Sequence, residues 1–210
     1  MSFRSDLQFW LAILGTSVVA ILFCYAFVDR PVAEFVHAHL QQKAIFDSAT
    51  HLPDPFVPLA LIALLYCGLR KLAGGQIAGH LESAMLCAFS MVWASGFKSA
   101  LKLLIGRTWP ETWIQNNPSY IGTHDYGFHP FHSGPAYQSF PSGHMALTTA
   151  IAWVVWIRYP RFRPLCLAAM AIVASGLVGM NYHFLSDVIG GWFVGFTTAW
   201  LTLRLWGEAS

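Results

Sequence analysis

Charged side chains are scarce in this sequence, since only 10% of its 210 residues are Asp, Glu, Lys or Arg. A soluble domain usually carries about 25% of these residues. The formal net charge is only +2, and no basic run or base-stacking motif is present, which argues against a nucleic-acid partner. Hydrophobic residues make up 56% of the chain, and this excess indicates a protein embedded in a lipid bilayer.

Closely spaced cysteine pairs are also lacking. The four cysteines lie singly inside apolar runs, at Cys24, Cys67, Cys87 and Cys166. This spacing argues against a disulfide framework or a cysteine metal motif and indicates buried, unreactive thiols. A cleavable leader pattern is lacking too, because the first apolar run is too long and has no small-residue cleavage site. We therefore expect the first segment to stay as a membrane helix.

Long apolar runs are what the sequence has in abundance. They predict six membrane-spanning helices, at residues 9–28, 52–69, 81–105, 145–157, 165–180 and 188–205. The Asp29-Arg30-Pro31 sequence is expected to end the first span, and the amphipathic stretch at 32–40 predicts a helix lying on the membrane surface. The predicted fold is all-α: one membrane-embedded domain of residues 1–210 with a six-helix bundle core.

Basic residues predict how the bundle is oriented. Six spans place both termini on one side of the bilayer. The basic residues on that side are Arg4, Arg70, Lys71, Arg158, Arg161, Arg163 and Arg204, and those on the other side are Arg30, Lys43, Lys98, Lys102 and Arg107. The positive-inside rule makes the side with the termini cytoplasmic. The long polar loop at 106–140 then faces outward, as does the short turn before the sixth span.

The segment Pro141-Ser142-Gly143-His144 stands directly before the fourth predicted span. Ser142 is a natural N-cap, and Pro141 fits at or just before a first helical position. The free backbone N–H groups of a helix start, together with the helix dipole, form an anion site that often holds phosphate. His144 on that first turn can move a proton. The alternative at this stage is an ordinary capped helix with a surface histidine.

Cations gather at the end of the third predicted span. Lys98 and Lys102 are four residues apart and share one helix face, and Arg107 follows shortly after. Such a group can hold a phosphate. The alternative is a pair of lysines that reach lipid headgroups along the membrane surface.

His183 and Asp187 are four residues apart in the turn before the sixth span. The carboxylate can accept from one ring nitrogen, which fixes the tautomer and leaves the other nitrogen free to attack. An Asp at the mouth of a membrane helix is costly without a partner. The alternative is a capping Asp beside an interfacial histidine.

Taken in chain order, the three segments resemble the motifs of the type 2 phosphatidic acid phosphatase family, which shares its fold with vanadium haloperoxidases. The segment 141–144 matches the P-S-G-H motif in full. His183 and Asp187 match the end of S-R-x5-H-x3-D, and Lys102 and Pro110 match the first and last positions of K-x6-R-P. The resemblance covers essentially the whole chain and implies the membrane branch of the family.

Three positions depart from the family pattern. Trp109 and Leu177 stand where the motifs have arginines that bind phosphate oxygens, and Gly176 replaces the serine before the second of these. A charged hydrogen bond contributes about 1.5–3 kcal/mol, so the phosphate pocket is weakened unless Arg107 or Lys98 turns inward.

The resemblance implies an integral-membrane phosphatase that hydrolyses a lipid phosphate or diphosphate and needs no metal or cofactor. His183 is the implied nucleophile, Asp187 orients it, and His144 protonates the leaving oxygen and then activates water. The phosphate-binding donors are expected from Lys98, Lys102, Arg107, Ser142 and Gly143. The expected location is a bacterial inner membrane, with the active site on the periplasmic side, the termini in the cytoplasm, and membrane lipids as the surroundings.

Two other functions stay open. A lipid headgroup phosphotransferase is one, because sphingomyelin-synthase-like enzymes keep a His–His–Asp triad without the arginine pattern. A non-catalytic lipid-binding protein or carrier is the other. Candidate substrates are undecaprenyl diphosphate, phosphatidylglycerol phosphate, phosphatidic acid and lipid A phosphates, and the sequence carries no signal for the oligomeric state. The loop residues His124, His129 and His132 suit a metal site, contacts with a polar headgroup, or solvent.

Overall fold

The computed structural model describes residues 3–40, 44–113, 116–132 and 134–209. These residues are mostly helical, with only isolated β-bridges in the loop at 106–140 and no strand among the described residues. The helices are α1 (Phe3–Phe23), α2 (Asp29–His39), α3 (Ala44–Thr50), α4 (Phe56–Leu72), α5 (Gly79–Ile105), α6 (Tyr120–Thr123), α7 (Gly143–Arg158), α8 (Arg163–Gly179) and α9 (Leu185–Ala209). The all-α prediction is confirmed for this part of the chain.

Each of the six predicted spans contains a helix, but not all of these helices are long. Within the described ranges, four helical segments are long and apolar enough to cross a membrane: Asp6–His39, Gly79–Ile105, Pro160–Gly179 and Leu185–Gly207. The α4 helix has 17 residues and α7 has 16, fewer than the roughly 20 of a typical span. Six crossings therefore stay a prediction, whereas an integral membrane protein is supported.

The helix does not end at Asp29-Arg30-Pro31, where the sequence predicts the end of the first span. A π-helical turn, Cys24–Val28, joins α1 to α2, so the chain is helical without a break from Asp6 to His39. The backbone N–H of Asp29 donates to the carbonyl of Cys24 and closes this wide turn. Pro31 follows in the first turn of α2. The π-turn has already changed the regular hydrogen-bond pattern of the helix there, so the missing N–H of Pro31 removes no further hydrogen bond. Asp29 is thereby carried into the protein interior, with 1% of its surface exposed.

The α7 helix lies in the centre of the bundle, packed against α5, α8 and α9. Two glycines let α9 approach it closely. A Cβ on Gly191 would lie 2.4 Å from the carbonyl oxygen of Ser142, and one on Gly195 would lie 2.3 Å from that of Ala146. Both distances are shorter than any van der Waals contact, so glycine is required here. This close approach brings the start of α7 next to the start of α9.

The two ends of the loop at 106–140 run side by side above the bundle. The N–H of Arg107 donates to the carbonyl of Tyr137 at 2.9 Å, and the N–H of Ser139 donates to the carbonyl of Arg107 at 3.1 Å. The loop is thus closed on itself over one end of the bundle, where α7 begins. We call this the cavity end.

Candidate active site

The three motif segments meet at one cavity of about 470 Å³ at the cavity end. Its polar lining includes Asp54, Lys98, Lys102, Gly143, His144 and His183. Aromatic rings of Trp109, Trp113 and Tyr182 form much of the rest. The expected residues Ser142, Arg107 and Asp187 are not part of the lining, and each is completely buried beside it.

The start of α7 is capped as the sequence predicts. Ser142 is the N-cap, and its hydroxyl accepts from the N–H of Met145 at 3.5 Å. Its own N–H donates to the carbonyl of Asp187 at 3.0 Å. Both groups of Ser142 are therefore engaged inside the protein, which differs from the expectation of a phosphate-binding hydroxyl. Gly143, the first residue of α7, is the part of the cap that faces the cavity.

His183 contacts Asp187, four residues further along the chain, and Ser139 in the loop at 106–140. Its side chain is 5% exposed, and Nδ1 lies 3.6 Å from Oδ2 of Asp187 and 3.4 Å from Oγ of Ser139. The same oxygen of Asp187 accepts from the Ser139 hydroxyl at 2.6 Å and from the N–H of Phe184 at 2.9 Å. The carboxylate is thus fixed on the Nδ1 side of the ring, which leaves Nε2 as the nitrogen free to react.

Burial sets the charge of His183. Removal from water lowers the pKa of His183 to about 4, although the neighbouring Asp187 carboxylate acts in the opposite direction. At neutral pH the imidazole is therefore uncharged. An uncharged imidazole with one nitrogen directed by a carboxylate is the form that acts as a nucleophile.

Arg107 does not turn into the cavity, contrary to one expectation from the sequence. Its guanidinium is fully buried between two carboxylates, with Nη1 donating to Oδ1 of Asp187 at 2.5 Å and Nη2 to Oδ2 of Asp29 at 2.9 Å. Burial opposes the charge, but the carboxylates outweigh it and raise the pKa of Arg107. Ser186 accepts from Nη1 at 2.6 Å. Arg107 therefore positions Asp187 and does not contact a ligand in the cavity.

The sequence analysis missed Asp29. It lies 158 positions before Asp187, and its position between an apolar run and a proline indicated only the end of a span. The signal that could have found it is its charge: an Asp inside a continuous membrane helix requires a partner.

Lys98 and Lys102 both line the cavity, so two ammonium groups lie at its wall. The ammonium of Lys98 lies 3.4 Å from the point where a Cβ on Gly143 would stand, so it lies over the start of α7. Lys102 donates to the carbonyl of Gln138, and its ammonium lies 5.6 Å from the ring centre of Trp109. The two lysines therefore lie close to the start of α7.

Two of the three positions that depart from the family motifs face the cavity. Trp109 lines it with its ring centre 5.1 Å from that of His183, and Leu177 lines it as well. An indole and an aliphatic side chain therefore stand close to His183 where the motifs have cations. The lining is correspondingly apolar and aromatic on this side.

Asp54 is a second residue that the sequence analysis missed. Its Oδ1 lies 3.4 Å from Nε2 of His144, and its Oδ2 lies 2.7 Å from Nδ1 of His51. The rings of His51 and His144 are 6.0 Å apart and perpendicular. Only the position of Asp54 between two prolines, at the start of a predicted span, was visible in the sequence.

The loop histidines lie apart from this cavity lining. His129 contacts Asp125 at 3.0 Å, and its ring lies 5.7 Å from that of His132 and 5.0 Å from that of Tyr137. His124 is exposed at the end of α6. Among the residues that the structure describes, these histidines form no three-ligand group that could hold a metal ion.

Comparison with known proteins places the chain in a family. Residues 83–210, more than half of the chain, match the model of the PAP2 superfamily. The chain therefore belongs to the PAP2 superfamily, and the resemblance stated from its motifs is confirmed.

The relatives are phosphatases by name. The chain is 32% identical over 118 residues to the lipid A 1-phosphatase of Rhizobium johnstonii, which covers 55% of this chain and 43% of that protein. It is 32% identical over 112 residues to the lipid A 1-phosphatase of Rhizobium etli, which covers 50% and 44%. The matches thus span less than half the length of these relatives.

A solved structure has the same fold. The transmembrane PAP2 type phosphatidylglycerolphosphate phosphatase from Bacillus subtilis superposes with a TM-score of 0.52 over 93% of this chain and 96% of that one. The two sequences are 14% identical, so the likeness concerns the fold alone.

Proposed function

We propose that this protein is a membrane lipid phosphatase that works through a phosphohistidine on His183. The observation that carries the proposal is the convergence of three distant segments on one cavity, where His183, His144 and two lysines face the same space. Each of these groups has a separate task in phosphoryl transfer: attack, proton movement and charge neutralisation.

In the first step, Nε2 of His183 attacks phosphorus. The new P–N bond forms as the bond from phosphorus to the lipid oxygen breaks, and His144 gives its proton to that oxygen. Asp187 stabilises the positive charge that develops on the ring of His183, on the Nδ1 side where its Oδ2 lies 3.6 Å away. The lysines and the N–H groups at Gly143 stabilise the negative oxygens of the transferring group.

In the second step, water replaces the histidine. His144 accepts a proton from the water, the water oxygen bonds to phosphorus, and the P–N bond breaks. Inorganic phosphate leaves, and His183 returns to its uncharged form. His144 is 38% exposed at its side chain, so both water and a leaving group can reach it.

The substrate that we propose first is a phosphate on the sugar headgroup of a lipid A-type glycolipid. The names of the two Rhizobium relatives support this choice. The cavity supports it as well, because Trp109, Trp113 and Tyr182 offer ring faces on which the apolar face of a sugar can pack.

The acyl chains of such a lipid need an apolar path to the cavity. A groove of about 380 Å³ lies between the start of α4, α7 and α8, and its lining is almost entirely apolar. It begins at Leu52 and Pro53, which directly precede Asp54 in the cavity lining. We propose that an acyl chain lies in this groove while its headgroup occupies the cavity.

We further propose that the cavity opens on the periplasmic side of a bacterial inner membrane. Arg158, Arg161 and Arg163 lie at the other end of α7, remote from His144. The positive-inside rule assigns these arginines to the cytoplasm. A cysteine introduced at exposed Gln138, in the loop at the cavity end, is then expected to react with a membrane-impermeant thiol reagent in intact cells, whereas one introduced at Arg161 is not.

The test of function uses the purified protein in detergent. Release of inorganic phosphate is measured from lipid A, phosphatidic acid, phosphatidylglycerol phosphate and undecaprenyl diphosphate, and phosphoenzyme is trapped by rapid acid-free denaturation. We expect the wild type to release inorganic phosphate from lipid A and to yield a trapped phosphoenzyme. His183→Gln is expected to do neither. The matched control His132→Gln, which alters an exposed loop histidine, keeps both.

Other products point to the other functions. Transfer of the phosphoryl group to a second lipid, with no free phosphate, indicates a phosphotransferase. Binding of lipid phosphates without turnover or labelled protein indicates a carrier. Full activity in His183→Gln contradicts the assignment of the nucleophile.

A further inference from the structure

A separate group of side chains approaches His144 from the turn that precedes α4. One ligand atom from each of His51, Asp54 and His144 lies within 4.8 Å of the others. Asp54 stands between the two rings, with one oxygen 2.7 Å from Nδ1 of His51 and the other 3.4 Å from Nε2 of His144. Among the described residues, this is the one group of three metal-ligand side chains with such short separations.

The chemistry of this group suits zinc. Two imidazoles and a carboxylate are a common zinc-binding set, which leaves a fourth position for water. Tetrahedral bonds of about 2.0–2.1 Å put ligand atoms about 3.3 Å apart, within the range observed here. His51 and Asp54 are exposed, so their side chains are free to make the shift of about an ångström that closes the site.

The surrounding charges favour zinc over magnesium or calcium. Lys98 and Lys102 line the same cavity and repel any cation, so binding that depends on charge alone is weak here. Imidazole nitrogens add bonding that magnesium and calcium use little and zinc uses strongly. Asp47 lies 3.7 Å from Nε2 of His51 and supplies a second carboxylate that steadies this ring.

We propose that His51, Asp54 and His144 bind a Zn²⁺ ion that inhibits the enzyme. The inhibition rests on the proposed function, because the ion takes the lone pair at Nε2 of His144 and so removes the group that moves the proton. The zinc site itself does not depend on that function. Its three ligands exist whether or not the protein hydrolyses a lipid.

Metal binding is tested on the detergent-purified full chain with ZnCl2 alone. Equilibrium dialysis followed by metal analysis is expected to give one zinc ion per wild-type chain. His51→Gln and Asp54→Asn are each expected to weaken binding about tenfold or more. The matched control His132→Gln removes a histidine from the loop at 106–140 and is expected to bind like the wild type. No bound zinc, or unchanged binding in His51→Gln, overturns the site.

Co²⁺ gives a second readout of the same site. Bound in place of zinc, it is expected to show the intense visible absorption of a tetrahedral ion in the wild type and to lose it in Asp54→Asn. The absorption reports the coordination and does not depend on activity. An absorption spectrum typical of hydrated Co²⁺ in the wild type overturns the proposed coordination.

Inhibition is tested by phosphate release at increasing ZnCl2. The wild type is expected to lose activity over the concentration range in which it binds one ion. His51→Gln keeps its basal rate, because His51 has no task in the reaction, and needs about tenfold more zinc for the same loss. Equal sensitivity of the two overturns the inhibitory role. Zinc binding without any phosphate release refutes the proposed function and supports the zinc site. Phosphate release without zinc binding supports the proposed function and refutes the zinc site.

Discussion

Arg107 and Asp187 form an ion pair in which both side chains are completely buried, with Nη1 of Arg107 2.5 Å from Oδ1 of Asp187. Asp29 contacts the same guanidinium at 2.9 Å and accepts from the N–H of Ser186 at 3.0 Å. Three segments that are remote in the sequence therefore meet at the carboxylate that faces His183. The position of His183, the proposed nucleophile, therefore depends on a cation that does not enter the cavity.

The first prediction concerns this ion pair. Arg107→Met leaves two carboxylates buried without their cation, and breaking a buried pair in this way costs about 3–5 kcal/mol. We expect a marked fall in the unfolding temperature and in kcat, because Asp187 is no longer fixed beside His183. Thermal unfolding in detergent and steady-state kinetics measure both. A variant with wild-type stability that is changed only in KM contradicts this role.

The second prediction concerns the cavity lysines. Lys98→Met and Lys102→Met each remove a cation that we place on the phosphate, at about 1.5–3 kcal/mol, so kcat/KM is expected to fall about tenfold to a hundredfold. Stability is expected to change little. Lys71→Met, which removes an exposed lysine from the far end of α4, is the matched control. An equal loss in the control argues against phosphate contacts.

The third prediction concerns acid sensitivity. Burial lowers the pKa of His183 to about 4 from its ordinary 6.5, so below pH 6.5 the unfolded chain binds a proton that the folded chain does not. Stability is therefore lost as the pH falls from about 6.5 to about 4, on the order of 3 kcal/mol at 1.4 kcal/mol per unit. Above pH 6.5 this loss is absent.

Unfolding temperatures between pH 4 and pH 8 test it. The stability of the wild type relative to His183→Gln is expected to fall across that window, because glutamine cannot be protonated. His124→Gln, at an exposed histidine, is expected to keep the acid sensitivity of the wild type. Parallel curves for wild type and His183→Gln contradict the lowered pKa.

The fourth prediction concerns the apolar groove. Ala169 on α8 lines it, so Ala169→Phe fills part of its volume. We expect KM to rise several-fold for a lipid phosphate with long acyl chains and to stay unchanged for a short-chain, water-soluble analogue. Leu167→Phe, on the exposed face of the same helix, is the control. Equal KM changes for both substrates indicate that the acyl chain lies elsewhere.

Local patterns were enough to find the parts that act within one or two helical turns. The cap at Ser142 and the spacing of His183 and Asp187 are such patterns, and the shared helix face of Lys98 and Lys102 is another. They were visible because capping and four-residue spacing are properties of short segments. The family motifs then supplied the expectation that the three segments meet in one place.

Long-range partners were not visible in the same way. No residue near Arg107 in the sequence indicates that its guanidinium forms ion pairs with Asp29 and Asp187. Likewise, no residue near Asp54 indicates that its carboxylate lies beside His144. Arg107 was assigned to the phosphate pocket because only the local cluster of cations is visible in the sequence. The continuation of the first helix through Pro31 was missed because a π-turn has no composition of its own.

The π-turn at Cys24–Val28 determines the direction in which the residues of α2 face. It holds one more residue than an α-turn, and each residue rotates an α-helix by about 100°. Deleting a single residue from the π-turn would rotate every later residue of the helix by about 100° about the helix axis. Asp29 would then face lipid and lose its contact with the guanidinium of Arg107. The number of residues before Asp29, and not only their hydrophobicity, therefore determines whether Asp29 reaches Arg107.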